Sequence, residues 1–278
     1  LRKRTISKSA NSRDRARPLS RDGGRRIIES ASGGYITPSE DRIAAGVGDG
    51  DDSLMSRSSF VRQPLERVVA RYDRVAPWYR FGEWTILLAP GFRRRAIARL
   101  GLKPGERVVE VGCGTGRNLR LLREAVGGEG EVIGVDASAG MLAEAQKTIS
   151  RGGWRNVTLI HGDAAKLALD EPVDVAYFSL SYSVLPDRDP ALDAAWNAVR
   201  PGGRLAIMDA GMPDSRLGRL LSPAAELVAT VFPGDPYSEP WRDVARLSRS
   251  VRIERFQFDL YFICTALKQS AAGCQAGP

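Results

Sequence analysis

The sequence predicts an α/β fold: a doubly wound, mostly parallel seven-stranded sheet closed by a C-terminal antiparallel hairpin. Three observations predict it. From residue 106 onward, short β-branched runs alternate with segments of helical periodicity. The first run feeds directly into a glycine-rich turn, Gly112-Cys-Gly-Thr-Gly116. The last two runs lie too close together to be parallel neighbours, because a parallel crossover needs about a dozen residues or more.

The elements follow in order. Arg107-Val-Val-Glu-Val111 is the first strand, and residues 118–126 after the glycine turn have helical spacing through Leu119, Leu121 and Leu122. Glu131-Val-Ile-Gly-Val-Asp136 is the second strand. Ser138 is placed to cap the next helix, whose apolar positions Met141, Leu142, Ala145 and Ile149 recur every three or four residues. Residues 156–160 and 173–178 are the third and fourth strands. A helix marked by Ala191, Leu192, Ala195, Ala198 and Val199 follows, then a turn at Pro201-Gly-Gly203 and a fifth strand at 204–208. Residues 218–231 and 240–248 read as helices, and 251–258 with 261–267 as the closing hairpin.

Charge divides the chain of 278 residues unevenly. Residues 1–26 hold ten Lys/Arg against Asp14 and Asp22, so the +8 of the whole chain sits in the tail, and the rest balances at 31 basic and 31 acidic. Residues 1–58 are poor in aromatic side chains and rich in Ser, Gly and Arg, so a disordered basic tail is expected there. A second basic stretch, residues 62–104, has ten Lys/Arg against Glu66, Asp73 and Glu83. It interleaves them with Tyr72, Trp78, Tyr79, Phe81 and Trp84. That mixture suits peripheral contact with an anionic membrane; a helix pair packed on the core with a solvated basic face is the plainer alternative.

Several classes are excluded by what is missing. No apolar run reaches the about twenty residues a spanning helix needs. No apolar stretch follows the basic N-terminus, so no secretory signal is expected. Cys113, Cys264 and Cys274 are too scattered for a disulfide framework, and with His161 as the one histidine no metal site is expected. The expectation is a cytoplasmic protein, with the inner face of the membrane open to it as a peripheral partner.

A strand that feeds a glycine turn and then a helix makes a nucleotide-type site at the carboxyl edge of the sheet. The spacing here is G-x-G-x-G rather than the G-x-G-x-x-G of nicotinamide enzymes. Glu110 precedes the turn, Asp136 ends the next strand where ribose hydroxyls would meet it, and Gly162-Asp163 follows the third strand near an adenine edge.

With Val108-Val-Glu-Val-Gly-Cys-Gly-Thr-Gly116, Gly134-Val-Asp-Ala-Ser-Ala-Gly-Met-Leu142, His161-Gly-Asp-Ala164 and Val199-Arg-Pro-Gly-Gly-Arg204, residues 65–268 resemble the class I S-adenosylmethionine-dependent methyltransferases. The resemblance implies a Rossmann-like fold and S-adenosylmethionine as cofactor. It implies that Glu110, Gly112, Gly114 and Gly116 meet the methionine part. Asp136 would hold the ribose, Ala137 and Met141 would touch adenine, and Asp163 with Ala164 would bind its edge. Ser179 would face the sulfonium and acceptor. Arg71-Tyr-Asp-Arg-Val-Ala-Pro-Trp-Tyr79 is similar to the entry helix of ubiquinone/menaquinone C-methyltransferases and bacterial phospholipid N-methyltransferases. That implies a helical cap at 59–104 over a methyltransferase domain at 105–270.

Two acceptors fit these residues. Tyr72, Tyr79 and Tyr182 as catalytic aromatics, with Tyr177 as a further ring, suit a cage for a methylated ammonium, and so an amine headgroup of a membrane lipid. The alternative is carbon or oxygen methylation of a quinone or other small aromatic, which needs a base; His161 is a weak candidate. Trp241 and Tyr237 could wall the acceptor pocket. No nucleic-acid partner is expected, since the folded part is nearly neutral and no N-P-P-Y-type tetrapeptide follows the fourth strand.

Overall fold

The computed structural model describes residues 27–30, 35–36, 63–85, 91–211, 234–235, 238–256 and 260–270. Strands β3 (Arg107–Val111), β4 (Glu131–Asp136), β5 (Val157–His161), β6 (Val173–Ser179) and β7 (Val199–Ala210) are mutually parallel, and β8 (Ser250–Phe256) and β9 (Tyr261–Leu267) form the expected antiparallel hairpin. The order β8-β9-β7-β6-β3-β4-β5 gives the seven-stranded sheet. The hairpin enters it by pairing β9 antiparallel to β7. The chain runs outward from β3 through β4 to β5, then returns to the other side of β3 with β6. The carboxyl ends of β3 and β6 therefore flank a switch point, where open α/β sheets bind their ligands.

Helices α1 (Leu65–Thr85) and α2 (Phe92–Arg99) precede the sheet. Then α3 (Leu119–Val126), α4 (Ala139–Gly152) and α5 (Arg188–Ala198) join its strands, and α6 (Pro240–Leu247) leads into the hairpin. Successive residues of a strand point to opposite faces, and both faces are covered. Val108, Val132, Val175 and Met208 pack with α2, α3 and α4 through Ile97, Leu122 and Ala145. Val109, Ile133, Ala176 and Ile207 pack with α5 and α6 through Leu192 and Val244. Burial on both sides is why these strands read as continuous apolar runs rather than alternating ones.

Two expectations change in detail. The Pro201-Gly-Gly203 turn is absorbed into β7, whose pairing with β6 shifts register between Val173 and Val175. Gly202, at φ 79°, takes the conformation that lets the strand kink there. Inside the stretch expected to be disordered, β1 (Ile27–Ser30) and β2 (Tyr35–Ile36) extend the sheet, β1 parallel to β8 and antiparallel to β2. The edge of β8 offers unpaired backbone donors and acceptors, and a β-branched Ile-Ile segment can take them. The helix expected at 218–231, Tyr237 and Cys274 lie outside the described residues. Among the described residues no helix is long and apolar enough to cross a membrane, and no group of three metal-ligating side chains occurs.

Candidate active site

The turn after β3 is folded around the end of β4. The N–H groups of Gly112 and Cys113 both donate to the Val135 carbonyl, at 2.8 and 3.0 Å. The Asp136 carboxylate accepts from Gly114 N at 2.7 Å through one oxygen and from Ser138 N at 2.8 Å through the other. Burial pushes its carboxyl above the ordinary range, and these two N–H donors oppose that push. Gly112, at φ 74°, also lies so near the end of β6 that a Cβ would sit 2.5 Å from that of Ser181. The Ser181 hydroxyl donates to Val111 O at 2.7 Å and closes that contact.

A cleft enclosing about 930 Å³ of space, its open mouth included, lies at this edge of the sheet. Of the expected residues, Glu110, Gly112, Gly114, Asp136, Ala137, Met141, Asp163, Ala164, Ser179, Tyr72 and Tyr79 line it. Two do not. Gly116 has a packing role: a Cβ there would meet Leu119 and Ala145 at 2.9–3.3 Å, so its missing side chain lets the turn sit on α3 and α4. Tyr182 is wholly buried, stacks edge-on against Phe178 and donates its hydroxyl to Asp243 at 2.8 Å. Its apolar neighbours lie on the α5/α6 side of the sheet, away from the cleft.

Other candidates fall elsewhere too. Tyr177 is buried in the core. Trp241 packs edge-on against Phe262. His161 is exposed, its Nε2 3.0 Å from the Ala137 carbonyl, and it is not part of the cleft lining. Cys113 is a buried thiol held well above its ordinary pKa by desolvation and fills the space left by Gly134. It is no nucleophile.

The cleft has a polar end and an apolar end. At the polar end the buried Glu110 carboxylate accepts from Asn118 Nδ2, and Asn118 Oδ1 accepts from Arg93 Nη1 at 3.2 Å. This row presents a carboxylate, an amide and a guanidinium. Toward the other end α1 contributes Leu65, Val68, Val69, Tyr72 and Tyr79, and the segment after β6 contributes Leu180, Val184, Leu185 and Pro186. The rings of Tyr72 and Tyr79 meet edge-on at 6.0 Å. Desolvation pushes the Tyr72 phenol far up, with Tyr79, Asp136 and Asp209 adding to it, so it stays a neutral hydroxyl. Leu180 takes a left-handed conformation, φ 54°, held by its N–H on Met208 O at 2.8 Å. A leucine held in that conformation is a strained position, and it lies where β6 meets the cleft.

The structure is similar, over 71% of this chain and 97% of the other, to a SAM-dependent methyltransferase from Aquifex aeolicus, with a TM-score of 0.52 and 20% identity. It is also similar, with a TM-score of 0.51 and 20% identity over 74% of this chain and 96% of the other, to the [4+2]-cyclase SpnF. These likenesses concern the fold alone, and the second shows that the fold does not set the chemistry. A family model described as "Methyltransferase domain" matches residues 108–203. A demethylmenaquinone methyltransferase of Anoxybacillus flavithermus is 26% identical over 71% of this chain and 81% of its own length. One of Geobacillus kaustophilus is 31% identical over 57% and 66%. The chain carries a class I S-adenosylmethionine-dependent methyltransferase domain.

The cofactor of this methyltransferase is S-adenosylmethionine, and the donor set fits it. Asp136 has a further lone pair on each oxygen for the ribose hydroxyls. Met141 and Ala164, in the cleft lining, would supply apolar contact for the adenine, and Asp163 an acceptor at its edge. The Glu110–Asn118–Arg93 row matches the amino and carboxylate groups of the amino-acid end. Three residues of the methyltransferase escaped the sequence reading. Arg93 carries no motif signal, because tertiary packing alone brings α2 to Asn118, which itself sits eight residues after Glu110 at the start of α3. Asp209, which does not itself line the cleft, lies at the carboxyl end of β7 and was findable, since ligands of open α/β sheets gather at carboxyl ends. It is buried and accepts from Ser183 N and Ala210 N, both at 2.9 Å. Its carboxyl is pushed up to about 6 by burial.

Proposed function

We propose that the methyltransferase acts on a ring carbon of a hydroquinone that carries an apolar tail, the class of acceptor named for its curated relatives. The observation that carries this reading is the pairing of those relatives with an acceptor end walled by Tyr72, Tyr79 and aliphatic side chains. The lipid-amine reading needed Tyr72, Tyr79 and Tyr182 to converge on one cation. With Tyr182 turned to Asp243, two rings in edge contact are left.

When bound, S-adenosylmethionine supplies a methyl group on a sulfonium, open to in-line attack. The chain's part is to align the acceptor with that methyl and to raise the electron density of the attacking carbon. A hydroquinone carbon becomes nucleophilic when an adjacent phenol hydroxyl gives up its proton. That carbon would take the methyl, and the ring proton it releases to restore aromaticity would pass to water. We assign the phenol proton to Asp209. Of the rings its charge reaches, Tyr72 lines the cleft, whereas Tyr177 lies in the core and Tyr261 packs against it. A carboxylate held near 6 is ionised at neutral pH yet basic enough to take a proton.

The test supplies labelled S-adenosylmethionine with either reduced demethylmenaquinone or phosphatidylethanolamine vesicles. Label is expected on the quinone ring. Label on the phospholipid overturns the reading. Asp209→Asn is expected to cut kcat by about a hundred-fold or more while binding of S-adenosylhomocysteine is retained.

A further inference from the structure

Helix α1 carries two different faces. Its Leu65, Val68, Val69, Tyr72 and Tyr79 line the cleft. A second stripe runs along the opposite side: Arg67, Arg71, Arg74 and Trp78 fall at i, i+4, i+7 and i+11, one line along an α-helix about 16 Å long. All four are exposed, Trp78 at 75%, and Val75 beside it is exposed as well. The carboxylates are sorted away from this line. Glu66 and Asp73, seven residues apart, share a third side of the helix. Asp73 is engaged there, accepting from Ser138 Oγ at 2.6 Å and Gly140 N at 2.9 Å. Among the described residues no ion pair joins Arg67, Arg71 or Arg74.

We propose that this stripe docks the protein on an anionic lipid bilayer, with the three guanidiniums on lipid phosphates and the Trp78 indole at headgroup depth. Charge complementarity selects an anionic partner, because three arginines in line meet no carboxylate on their own face. The apolar residues select lipid over nucleic acid. A largely exposed indole beside an exposed valine gains by entering the headgroup boundary, where an amphipathic ring keeps its N–H wet and its body dry. A merely solvated face would have no use for either. Docking does not depend on which acceptor is methylated. Taken with the proposed function, it lays the helix that walls the cleft against the layer from which a long-tailed acceptor would come.

The experiment is co-sedimentation of the full chain with vesicles of phosphatidylglycerol and phosphatidylcholine in equal parts. Three variants are compared with the parent: Arg67→Gln/Arg71→Gln/Arg74→Gln, Trp78→Ser, and a control, Arg151→Gln/Arg155→Gln/Arg249→Gln, which removes the same charge from exposed positions elsewhere. The basic residues 1–26 are common to all and cancel. The α1 triple variant is expected to bind about a hundred-fold more weakly and Trp78→Ser several-fold more weakly. The control should stay close to the parent. Unchanged calorimetric binding of S-adenosylhomocysteine shows that each variant is folded and keeps the reading apart from that of the acceptor. Vesicle binding by the α1 variants equal to the parent's, an equal loss in the control, no binding by the parent, or a loss confined to added RNA overturns the proposal.

Discussion

Two glycines two residues apart do different work, and their replacements should fail differently. A Cβ at Gly112 would collide with Ser181, whereas at Gly114 it would meet nothing within 4 Å and stand in the cleft. Both have positive φ, so both alanine variants carry a backbone cost of about 1 kcal/mol or more. Gly112→Ala adds a steric clash and should lower the unfolding free energy by about 2–4 kcal/mol in denaturant titration. Gly114→Ala should remain folded and lose cofactor affinity, read by calorimetry. The G-x-G-x-G spacing was legible in the sequence, but it could not say which glycine faces a ligand and which faces protein. Tyr182 teaches the same lesson. Tyr182→Phe should cost about 1 kcal/mol through the lost bond to Asp243 and leave turnover unchanged; a large fall in kcat would return it to the site.

At the scale of elements, one arginine ties the lower ends of two strands and a helix. Arg204 at the start of the straight part of β7 makes paired bonds to both oxygens of Glu106, at 3.0 and 2.7 Å, and donates to the carbonyls of Leu100 and Gly101 after α2. Both side chains are nearly buried. The guanidinium holds the Glu106 carboxyl below its ordinary range against the opposing push of burial. Arg204→Ala would leave that carboxylate without its partner, and a loss of about 3–5 kcal/mol is expected by chemical denaturation. The cleft lies at the opposite, carboxyl end of these strands, so the variant's cofactor affinity below its unfolding transition should be that of the parent. Asp73 does the corresponding work above the sheet, fixing α1 to the N-terminus of α4, where Ser138 caps Met141 N at 3.0 Å.

For the whole molecule, the buried carboxylates set how stability responds to pH. Asp209 is raised from 3.8 to about 6 in the folded chain, so the folded state binds its proton more tightly than the unfolded one. Its contribution is fully present below about pH 4 and is lost as pH rises through about 6. The size is on the order of 3 kcal/mol. Asp136 is shifted in the same direction, whereas Asp73, Glu106 and Asp174 are lowered and act below the ordinary carboxylate range. Thermal unfolding without cofactor should therefore give a higher Tm at pH 5 than at pH 7.5. Asp209→Asn should flatten that difference; an unchanged slope would show that Asp209 is not the responsible group.

The sequence by itself determined the sheet, its parallel core, the closing hairpin and the cofactor edge. Those features rest on local patterns: short β-branched runs, period-3.6 helices, a glycine turn after the first strand, and carboxylates at or just past strand ends. Tertiary structure alone decided what depends on distant segments meeting. It brought Arg93 to the Asn118–Glu110 pair and turned Tyr182 toward Asp243 rather than the cleft. It also decided which face of α1 meets the cleft and which meets solvent. The helical period grouped those residues into stripes, but packing against α4 chose between them.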